Sequence, residues 1–146
     1  MKKLVFMLMV VATLAVGQAD NAKGGKKQAS LAKVLNRAEI DELLSKPDQV
    51  LIIDVRRPDE VKDIGGFPVY LSIQINDLEK SLAYIPKDRT IIALSNHAAR
   101  GGRAADILTK AGFKVAGAAG AEDYESQGGQ LTKIVPPPPN PNAKKQ

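Results

Sequence analysis

The chain has 146 residues, of which 44% are hydrophobic and 25% are charged, and this composition predicts a single globular domain. It contains no cysteine and only one histidine, which excludes thiol chemistry, disulfide bonds and cysteine-ligated metals and argues against a structural zinc site. Aromatic residues make up 4%, and the formal net charge is +5 with many lysines near the two ends; neither feature favours nucleic-acid binding. We therefore expect no metal, no cofactor and no nucleic-acid partner.

Residues 1–19 have the pattern of a secretory signal peptide. Lys2 and Lys3 precede an apolar run at residues 4–16, and residues 17–19 have the small-x-small form of a cleavage site. The run is shorter than the roughly 20 residues of a transmembrane helix. We therefore predict a periplasmic or secreted protein with no stable membrane insertion after signal cleavage. An uncleaved membrane anchor is the alternative. Cleavage would remove two lysines and lower the formal net charge from +5 to +3.

The rest of the chain divides into three parts. Residues 20–29 are polar and contain two glycines, which predicts a flexible leader. Residues 30–133 carry the periodic apolar patterns of a folded domain. Residues 134–146 include four consecutive prolines, which favour polyproline II and cannot enter a sheet, so we predict a proline-rich disordered tail.

In the first half of the domain, short apolar runs alternate with helical patterns. Two of the helices begin with a capping-box pattern, at Asn36 with Glu39 and at Asn76 with Glu79. The predicted elements, in chain order, are a strand at 31–35, a helix from Asn36 to about Ser45, a buried strand at 50–55, one helical turn at 58–62, a shorter strand at 69–75 and a helix from Asn76 to about Tyr84.

The second half continues the alternation. Its predicted elements are a buried strand at 90–94, a loop at 95–100, a helix at 101–110, a strand at 113–117 and a short helix at 121–127. Gly112 is placed as the residue that ends the helix in a left-handed conformation.

Alternating strands and helices predict an α/β fold with a central, mainly parallel sheet of four or five strands and helices on both faces. Ile52 and Ile91 lie in runs too apolar for a half-exposed sheet, so we place them in central strands. Ligands of such folds bind beyond the carboxyl ends of the strands. We therefore expect the ligand site at the ends of the two buried strands, residues 54–56 and 94–95.

Four segments, in this order, resemble the rhodanese-like family: LIIDVRRPDE at 51–60, IPKDRTIIAL at 85–94, RGGRAADILTKAGF at 100–113 and AGAEDYESQGG at 119–129. They are similar to the family's strand ending in Asp-Val-Arg, the strand leading into the active-site loop, the loop arginine with its helix, and the closing glycine–aromatic segment. Tyr124 stands where the family usually has Trp. The resemblance covers residues 31–131 and implies a rhodanese-like fold.

In that family a six-residue loop begins with a nucleophilic cysteine, which carries sulfur as a persulfide, and ends with an arginine. The backbone N–H groups of the loop and the dipole of the next helix stabilise the thiolate and a bound anion. By this resemblance the corresponding residues here are Ser95, Asn96, His97, Ala98, Ala99 and Arg100, with Gly101 opening the helix. Ser95 stands at the cysteine position and has no sulfur, so the resemblance implies a variant without a catalytic residue. The family's Gly-His-Ile-Pro-Gly-Ala stretch is also altered, at residues 63–69.

These residues predict an exported, non-catalytic domain that binds a small anion or a protein partner through residues 95–101. No carboxylate lies within the loop, so we expect weak binding of sulfate or phosphate. Two alternatives stay open. One is a residual enzyme, either sulfurtransferase-related or a hydrolase that pairs Ser95 with His97. The other is an adaptor whose proline-rich tail is the ligand of another protein.

Asp54 and the arginines after it have more than one interpretation. An aspartate at the end of a buried strand also fits the phosphoacceptor of a response-regulator receiver domain, but no acidic pair follows the first strand to complete a Mg²⁺ site. We favour a structural hydrogen-bonding role for Asp54. Arg56 and Arg57 either contact an anion or a partner or are solvated.

Overall fold

The computed structural model of the protein describes residues 29–133. The predicted signal peptide, the leader up to residue 28 and the proline-rich tail lie outside the described residues. The elements are α1 (Arg37–Leu44), β1 (Val50–Asp54), α2 (Pro58–Ile64), β2 (Tyr70–Ser72), α3 (Leu78–Ser81) followed by a 3-10 turn (Leu82–Tyr84), β3 (Thr90–Ser95), α4 (Ala98–Lys110), β4 (Val115–Gly120) and α5 (Ala121–Ser126). Within residues 29–133, no helix is long and apolar enough to cross a membrane.

The four strands form one parallel sheet in the order β2-β1-β3-β4. Ile52 of β1 lies opposite Ile92 of β3, and Ile91 belongs to the same central pair of strands. Every residue of β1, and every residue of β3 after Thr90, is buried, as expected for strands covered on both faces. The predicted α/β class, the parallel sheet and the central positions of Ile52 and Ile91 are confirmed.

Helices cover both faces of the sheet, and each face has its own apolar core. On one face the strands pack against Leu78 of α3 and Leu108 of α4. On the other face they pack against Ile40 of α1 and Tyr124 of α5. Tyr124 also contacts Phe67, with ring centroids 4.9 Å apart. The predicted arrangement of helices on both faces is therefore confirmed.

The predicted first strand is reduced to a single bridge on the outer edge of β4. Val34 pairs with Ala118 in a parallel bridge, in which the Leu35 N–H donates to the Ala118 carbonyl at 2.8 Å and the Ala118 N–H donates to the Lys33 carbonyl at 2.8 Å. The approach is so close that a Cβ on Gly117 would lie 2.5 Å from the Lys33 oxygen. Leu35 is buried but Leu31 is 92% exposed, so the apolar run is too poorly covered to continue as a strand.

One predicted capping box is confirmed and the other is wrong. At the start of α1 the Asn36 side chain accepts the Glu39 N–H, and the Glu39 carboxylate accepts the Asn36 N–H, both at 3.0 Å. Asn76, by contrast, lies inside a turn closed by the Asp77 N–H and the Gln74 carbonyl at 2.9 Å. The next helix therefore starts later, at Leu78, and no side chain caps it.

Two boundaries near the predicted site also differ. β3 extends to Ser95 and α4 begins at Ala98, so the predicted six-residue loop is mostly strand end and first helical turn. β4 begins at Val115 rather than residue 113, because the Phe113 N–H donates to the Leu108 carbonyl at 3.0 Å and closes the end of α4. Gly112 has φ +83°, the left-handed conformation predicted for it.

Candidate functional site

The site lies at the carboxyl edge of the sheet, where β1 and β3 end side by side. Asp54 lies opposite Leu94, and the Val55 N–H extends the ladder by donating to the Leu94 carbonyl at 2.9 Å. Asp54 and Ser95 are both completely buried. Parallel pairing therefore brings together the two strand ends that the sequence analysis singled out.

The Ser95 hydroxyl closes the turn into α4. Its Oγ accepts the Gly101 N–H at 2.9 Å and donates to the His97 carbonyl. Both partners lie within the 95–101 stretch, and Ser95 is inaccessible to solvent. The hydroxyl therefore makes the hydrogen bonds that hold the turn, and it is not presented to a substrate.

Glu60 of α2 holds the other end of the turn. Its carboxylate accepts two bonds from Arg100, Nη1 to Oε2 at 2.9 Å and Nη2 to Oε1 at 2.5 Å. It also accepts the Asn96 Nδ2 at 2.9 Å and the Arg57 N–H at 2.8 Å. The hydrogen-bonded Arg100 guanidinium lowers the pKa of Glu60 from 4.5 to about 2, against the opposing effect of burial. The charge of Arg100 is consequently balanced by a two-bond ion pair.

The only histidine ties α5 to the start of α4. Its Nδ1 lies 3.1 Å from Asp123 Oδ1 and its Nε2 lies 3.2 Å from Glu122 Oε2. The other oxygen of Asp123 accepts the Ala98 N–H at 3.3 Å, at the first residue of α4. The hydrogen bond with Asp123, together with the charges of Glu122 and Asp123, raises the pKa of His97 above its ordinary value. Because both ring nitrogens face carboxylates, His97 does not form the Ser–His pair of the hydrolase alternative.

Asp54 and Arg56 form a buried ion pair beneath this turn. Arg56 Nε donates to Asp54 Oδ1 at 2.9 Å, and Nη2 donates to Asp54 Oδ2 at 2.7 Å and to the Gly65 carbonyl at 2.8 Å. Arg56 Nη1 is also buried and has no hydrogen-bond partner within residues 29–133. Arg56 is therefore neither solvated nor free to contact a ligand. Arg57 is exposed and pairs with Asp59 at 3.0 Å.

The geometry of Asp54 does not suit a receiver-type phosphoacceptor, since its carboxylate is buried and fully paired with Arg56. In the described part of the chain, no three His, Cys, Asp or Glu side chains converge as a metal site would require. The structure thus gives Asp54 the hydrogen-bonding position at a strand end that the sequence analysis favoured.

The predicted site residues are brought together, but not as an open loop: they form a strand end, a short connection and a first helical turn, and carboxylates from other segments pair with them. Ser95 ends β3, Asn96 and His97 form the connection, and Ala98, Ala99, Arg100 and Gly101 begin α4. Sequence reasoning missed the three carboxylates that meet this turn, Glu60, Glu122 and Asp123. Each lies inside a segment that carries the family resemblance, but only the packing of α2 and α5 places it beside the turn.

The topology and the site define a class: an α/β domain with a parallel 2-1-3-4 sheet and a strand–turn–helix site at its carboxyl edge. Within that class, the sequence profile of the rhodanese-like domain matches residues 36–120. This is more than half of the 146 residues, and the chain belongs to the rhodanese-like domain family. No curated protein matches the sequence.

Several solved structures share the fold. A rhodanese-related protein from Thermoplasma volcanium is 20% identical, with a TM-score of 0.60 over 68% of this chain and 97% of its own. A protein of unknown function from Rhodopseudomonas palustris, described as a possible tyrosine phosphatase, is 24% identical, with a TM-score of 0.61 over 69% and 85%. Thiosulfate sulfurtransferase from Pseudomonas aeruginosa is 24% identical, with a TM-score of 0.62 over 70% of this chain and 20% of its own. At these identities the likeness establishes the fold alone.

Proposed function

We propose that this chain is an exported, non-catalytic rhodanese-like domain that recognises a protein partner through the turn surface, defined as Asn96, His97, Ala99 and Glu122. The observation that carries this proposal is that the chain's own carboxylates already occupy the groups that would attract a small anion. Glu60 pairs with Arg100, and Asp123 accepts the N–H of the first residue of α4. What is left facing solvent is a mixed polar and apolar surface, with His97 and Ala99 exposed.

The proposed loss of sulfur transfer follows from the chemistry of Ser95. A persulfide forms only on sulfur, and a hydroxyl is far less ionised than a thiol at neutral pH. The Ser95 hydroxyl is also buried and bonded within the turn. We expect no transfer of sulfur from thiosulfate to cyanide by the purified protein. Turnover above a buffer control would refute this part of the proposal.

Anion binding is tested by an NMR titration, in which sulfate is added to the ¹⁵N-labelled protein and the chemical shifts of the backbone amides are followed. Since carboxylates occupy the turn, we expect no concentrated amide shifts at residues 96–102. Asp123→Asn removes a charge while keeping a side chain of similar shape, and it should allow sulfate to shift the Ala98 amide. If the unchanged protein already shows saturable, salt-sensitive shifts at 96–102, a small anion is the ligand, as the sequence analysis also allowed.

Partner recognition is tested with a photo-crosslinking amino acid at the exposed position of Ala99, expressed in cells. The matched control places it at Tyr84, which is 84% exposed and lies away from the turn. We expect one defined cross-linked partner from position 99 only, lost when Glu122→Lys reverses the charge beside it. Equal products from positions 84 and 99 would contradict recognition by the turn surface.

The proline-rich tail supports a second candidate function, as an adaptor. Thr132 pairs with Gly66 through two backbone hydrogen bonds of 2.9 Å, so the tail starts from a point fixed beside the carboxyl edge of the sheet. Deletion of residues 134–146 distinguishes the two candidates. It should leave the cross-link from position 99 unchanged if the turn surface is the recognition site, and abolish partner binding if the tail is the ligand.

Export remains a proposal that rests on the N-terminal sequence. If residues 1–19 are removed by a signal peptidase, the secreted or periplasmic protein begins at Asp20. Sequencing of the mature N-terminus checks this directly. A protein that retains Met1 and stays with the membrane fraction would favour the uncleaved anchor.

A further inference from the structure

A second surface of the molecule adjoins the turn surface at Ala99 and combines exposed apolar side chains with basic ones. It is formed by the stretch before α1 and the outer side of α4, and we call it the α4 face: Leu31, Val34, Arg103, Ile107 and Lys110. We propose that the α4 face docks onto the surface of an anionic lipid bilayer. This inference does not depend on the function proposed for the turn surface.

The apolar part of the face projects into solvent. Leu31 is 92% exposed and Val34 is 61% exposed, and they are two of the four large hydrophobic residues with substantial exposure in residues 29–133. Both lie in the segment held against β4 by the Val34–Ala118 bridge. The fold therefore fixes the backbone of this segment while leaving its apolar side chains uncovered, which is unfavourable in water unless something covers them.

Basic side chains lie directly beside these apolar groups. A hollow of about 580 Å³ between Leu31 and α4 is lined by Arg103, Ile107 and Lys110. A neighbouring hollow of about 360 Å³ is lined by Val34, Ala99 and Arg103. Within residues 29–133, neither Arg103 nor Lys110 forms a salt bridge. Apolar groups with free cations around them are typical of peripheral membrane-binding surfaces.

The balance of charge distinguishes a bilayer from a second copy of the chain. Asp106 is the acidic residue that lines the larger hollow, against Arg103 and Lys110. The two basic residues outnumber this one carboxylate, so the lining of the hollow carries a net positive charge. Two copies meeting through this face would bring like charges together. By contrast, each lysine or arginine near an anionic lipid surface strengthens the binding of the protein to that surface about fivefold.

The shape of the α4 face also favours a lipid bilayer over a protein partner. A protein partner would need a preformed pocket for a leucine that projects almost completely into solvent. A bilayer interface accepts such a side chain without a complementary pocket, because the lipid headgroups and upper acyl chains rearrange around it. Leu31 and Val34 would enter the interface while the basic residues contact lipid phosphates.

The test is sedimentation of residues 20–146 with lipid vesicles. This form contains every element that the structure describes and leaves out the apolar run at residues 4–16, which would bind vesicles by itself. We expect binding to vesicles of phosphatidylglycerol mixed with phosphatidylcholine, and little binding to phosphatidylcholine alone. Added salt should weaken the binding, since part of it is screened Coulomb attraction.

Two variants separate the apolar and the electrostatic contributions. Leu31→Ser with Val34→Ser should reduce the partition coefficient on the order of tenfold, and Arg103→Gln with Lys110→Gln should reduce it about 25-fold, or about fivefold for each charge. Tyr84→Ser removes a side chain that is 84% exposed elsewhere on the surface and should change nothing. All four positions of the two variants face solvent at least in part, and unchanged circular dichroism melting will show that the fold is kept.

Four outcomes would overturn the proposal. Equal binding to neutral vesicles, or none to either, would exclude an anionic bilayer. Full binding by the Leu31→Ser, Val34→Ser protein would assign the interaction to the basic ends of the chain. A dimer in analytical ultracentrifugation that this double variant dissociates, without vesicle binding, would identify a second copy as the occupant.

Discussion

The buried arginine at the end of β1 determines how the site tolerates substitution. Arg56 and Asp54 are both inaccessible to solvent. Three hydrogen bonds join their side chains: Arg56 Nε donates to both carboxylate oxygens of Asp54, and Nη2 donates to Oδ2. Removing one member of such a pair leaves an uncompensated buried charge, which costs far more than the pair contributes when both members are present. The pair should therefore behave as a unit.

We predict that Arg56→Met or Asp54→Asn alone lowers the free energy of unfolding by about 3–5 kcal/mol. The double variant should lose clearly less than the sum of the two, because neither charge is then left unpaired. Urea denaturation measures all three. Arg57→Met is the matched control: its exposed pair with Asp59 should give no measurable change. Additive losses from Arg56 and Asp54 would contradict a coupled pair.

A single glycine in α4 lets the helix approach the sheet. A Cβ on Gly101 would lie 2.7 Å from the Ala93 carbonyl oxygen and 3.3 Å from the Ala119 carbonyl oxygen. Both atoms belong to strand backbone, which cannot move without disturbing the ladder. The Gly101 N–H also donates to Ser95 Oγ at 2.9 Å, so a shift of α4 would also open the turn.

Gly101→Ala should therefore destabilise the fold by about 1–3 kcal/mol. Gly66→Ala makes the control, because the nearest atom to its added methyl group would be Val61 Cγ1 at 3.7 Å, an ordinary van der Waals distance. It should change stability by less than about 0.5 kcal/mol. Thermal melting of both variants checks the difference, and equal effects would show that the close approach of α4 is unimportant.

At the scale of elements, Glu60 links α2 to the turn before α4 and makes that link sensitive to acid. Its folded pKa, about 2, lies below the ordinary value of 4.5. A depressed pKa in the folded state contributes stability that is fully present above pH 4.5 and is lost as the pH falls toward 2. The two bonds to Arg100 and the bond from Asn96 weaken together when the carboxylate is protonated.

We predict that Glu60→Gln lowers stability at neutral pH and that the difference between the variant and the unchanged protein shrinks as the pH approaches 2. Other carboxylates with lowered pKa values, such as Glu39 and Asp59, contribute to both proteins and cancel in the comparison. Urea midpoints measured across the acidic range provide the test. A difference that stays constant with pH would show that the Glu60 charge is not what holds the turn.

The elements show how far sequence patterns reach. The continuous apolar runs of β1 and β3, the Asn36–Glu39 capping box and Gly112 each have a local cause, and all were found. The start of α4 was placed three residues late, because the stretch 98–100 has no helical apolar pattern of its own. Its first turn is stabilised from outside, by Asp123 on the Ala98 N–H and by Glu60 on Arg100. Such contacts between distant segments leave no periodic signal.

At the scale of the whole molecule, the fold extends beyond the residues that match the family. The match ends at Gly120 and begins at Asn36, yet residues 33–35 cover the outer edge of β4. An uncovered parallel edge presents unpaired N–H and carbonyl groups to other chains. The segment before the matched region is therefore part of the stable domain.

A fragment of residues 36–133 should aggregate, whereas residues 29–133 should remain dispersed at the same concentration, because only the shorter fragment exposes the β4 edge. Light scattering during a concentration series compares the two. A control fragment of residues 29–133 with Val34→Thr keeps the backbone bridge and changes only the exposed side chain, and it should remain dispersed. Identical scattering from all three fragments would contradict the protective role of the bridge.

The candidate site as a whole could be predicted only in part. Ser95 and Arg100 followed from the order of the motifs, and the neighbouring strand ends followed from parallel topology. The neutralisation of the turn could not be foreseen, because Glu60 is 40 residues from Arg100 along the chain and Asp123 is 25 residues from Ala98. Charges that meet only after folding decide whether a cationic turn attracts a ligand or is already satisfied.

The carboxylate of Asp123 at the start of α4 also bears on how a thiol would behave in this site. A cysteine introduced at position 95 would face a turn whose first helical N–H is already bonded to an anion, and nearby negative charge disfavours the thiolate. A second substitution such as Asp123→Asn would remove this charge, while Glu122 would still hold His97 at 3.2 Å. We therefore expect Ser95→Cys alone to give a thiol with little thiolate character, and Ser95→Cys with Asp123→Asn to give more.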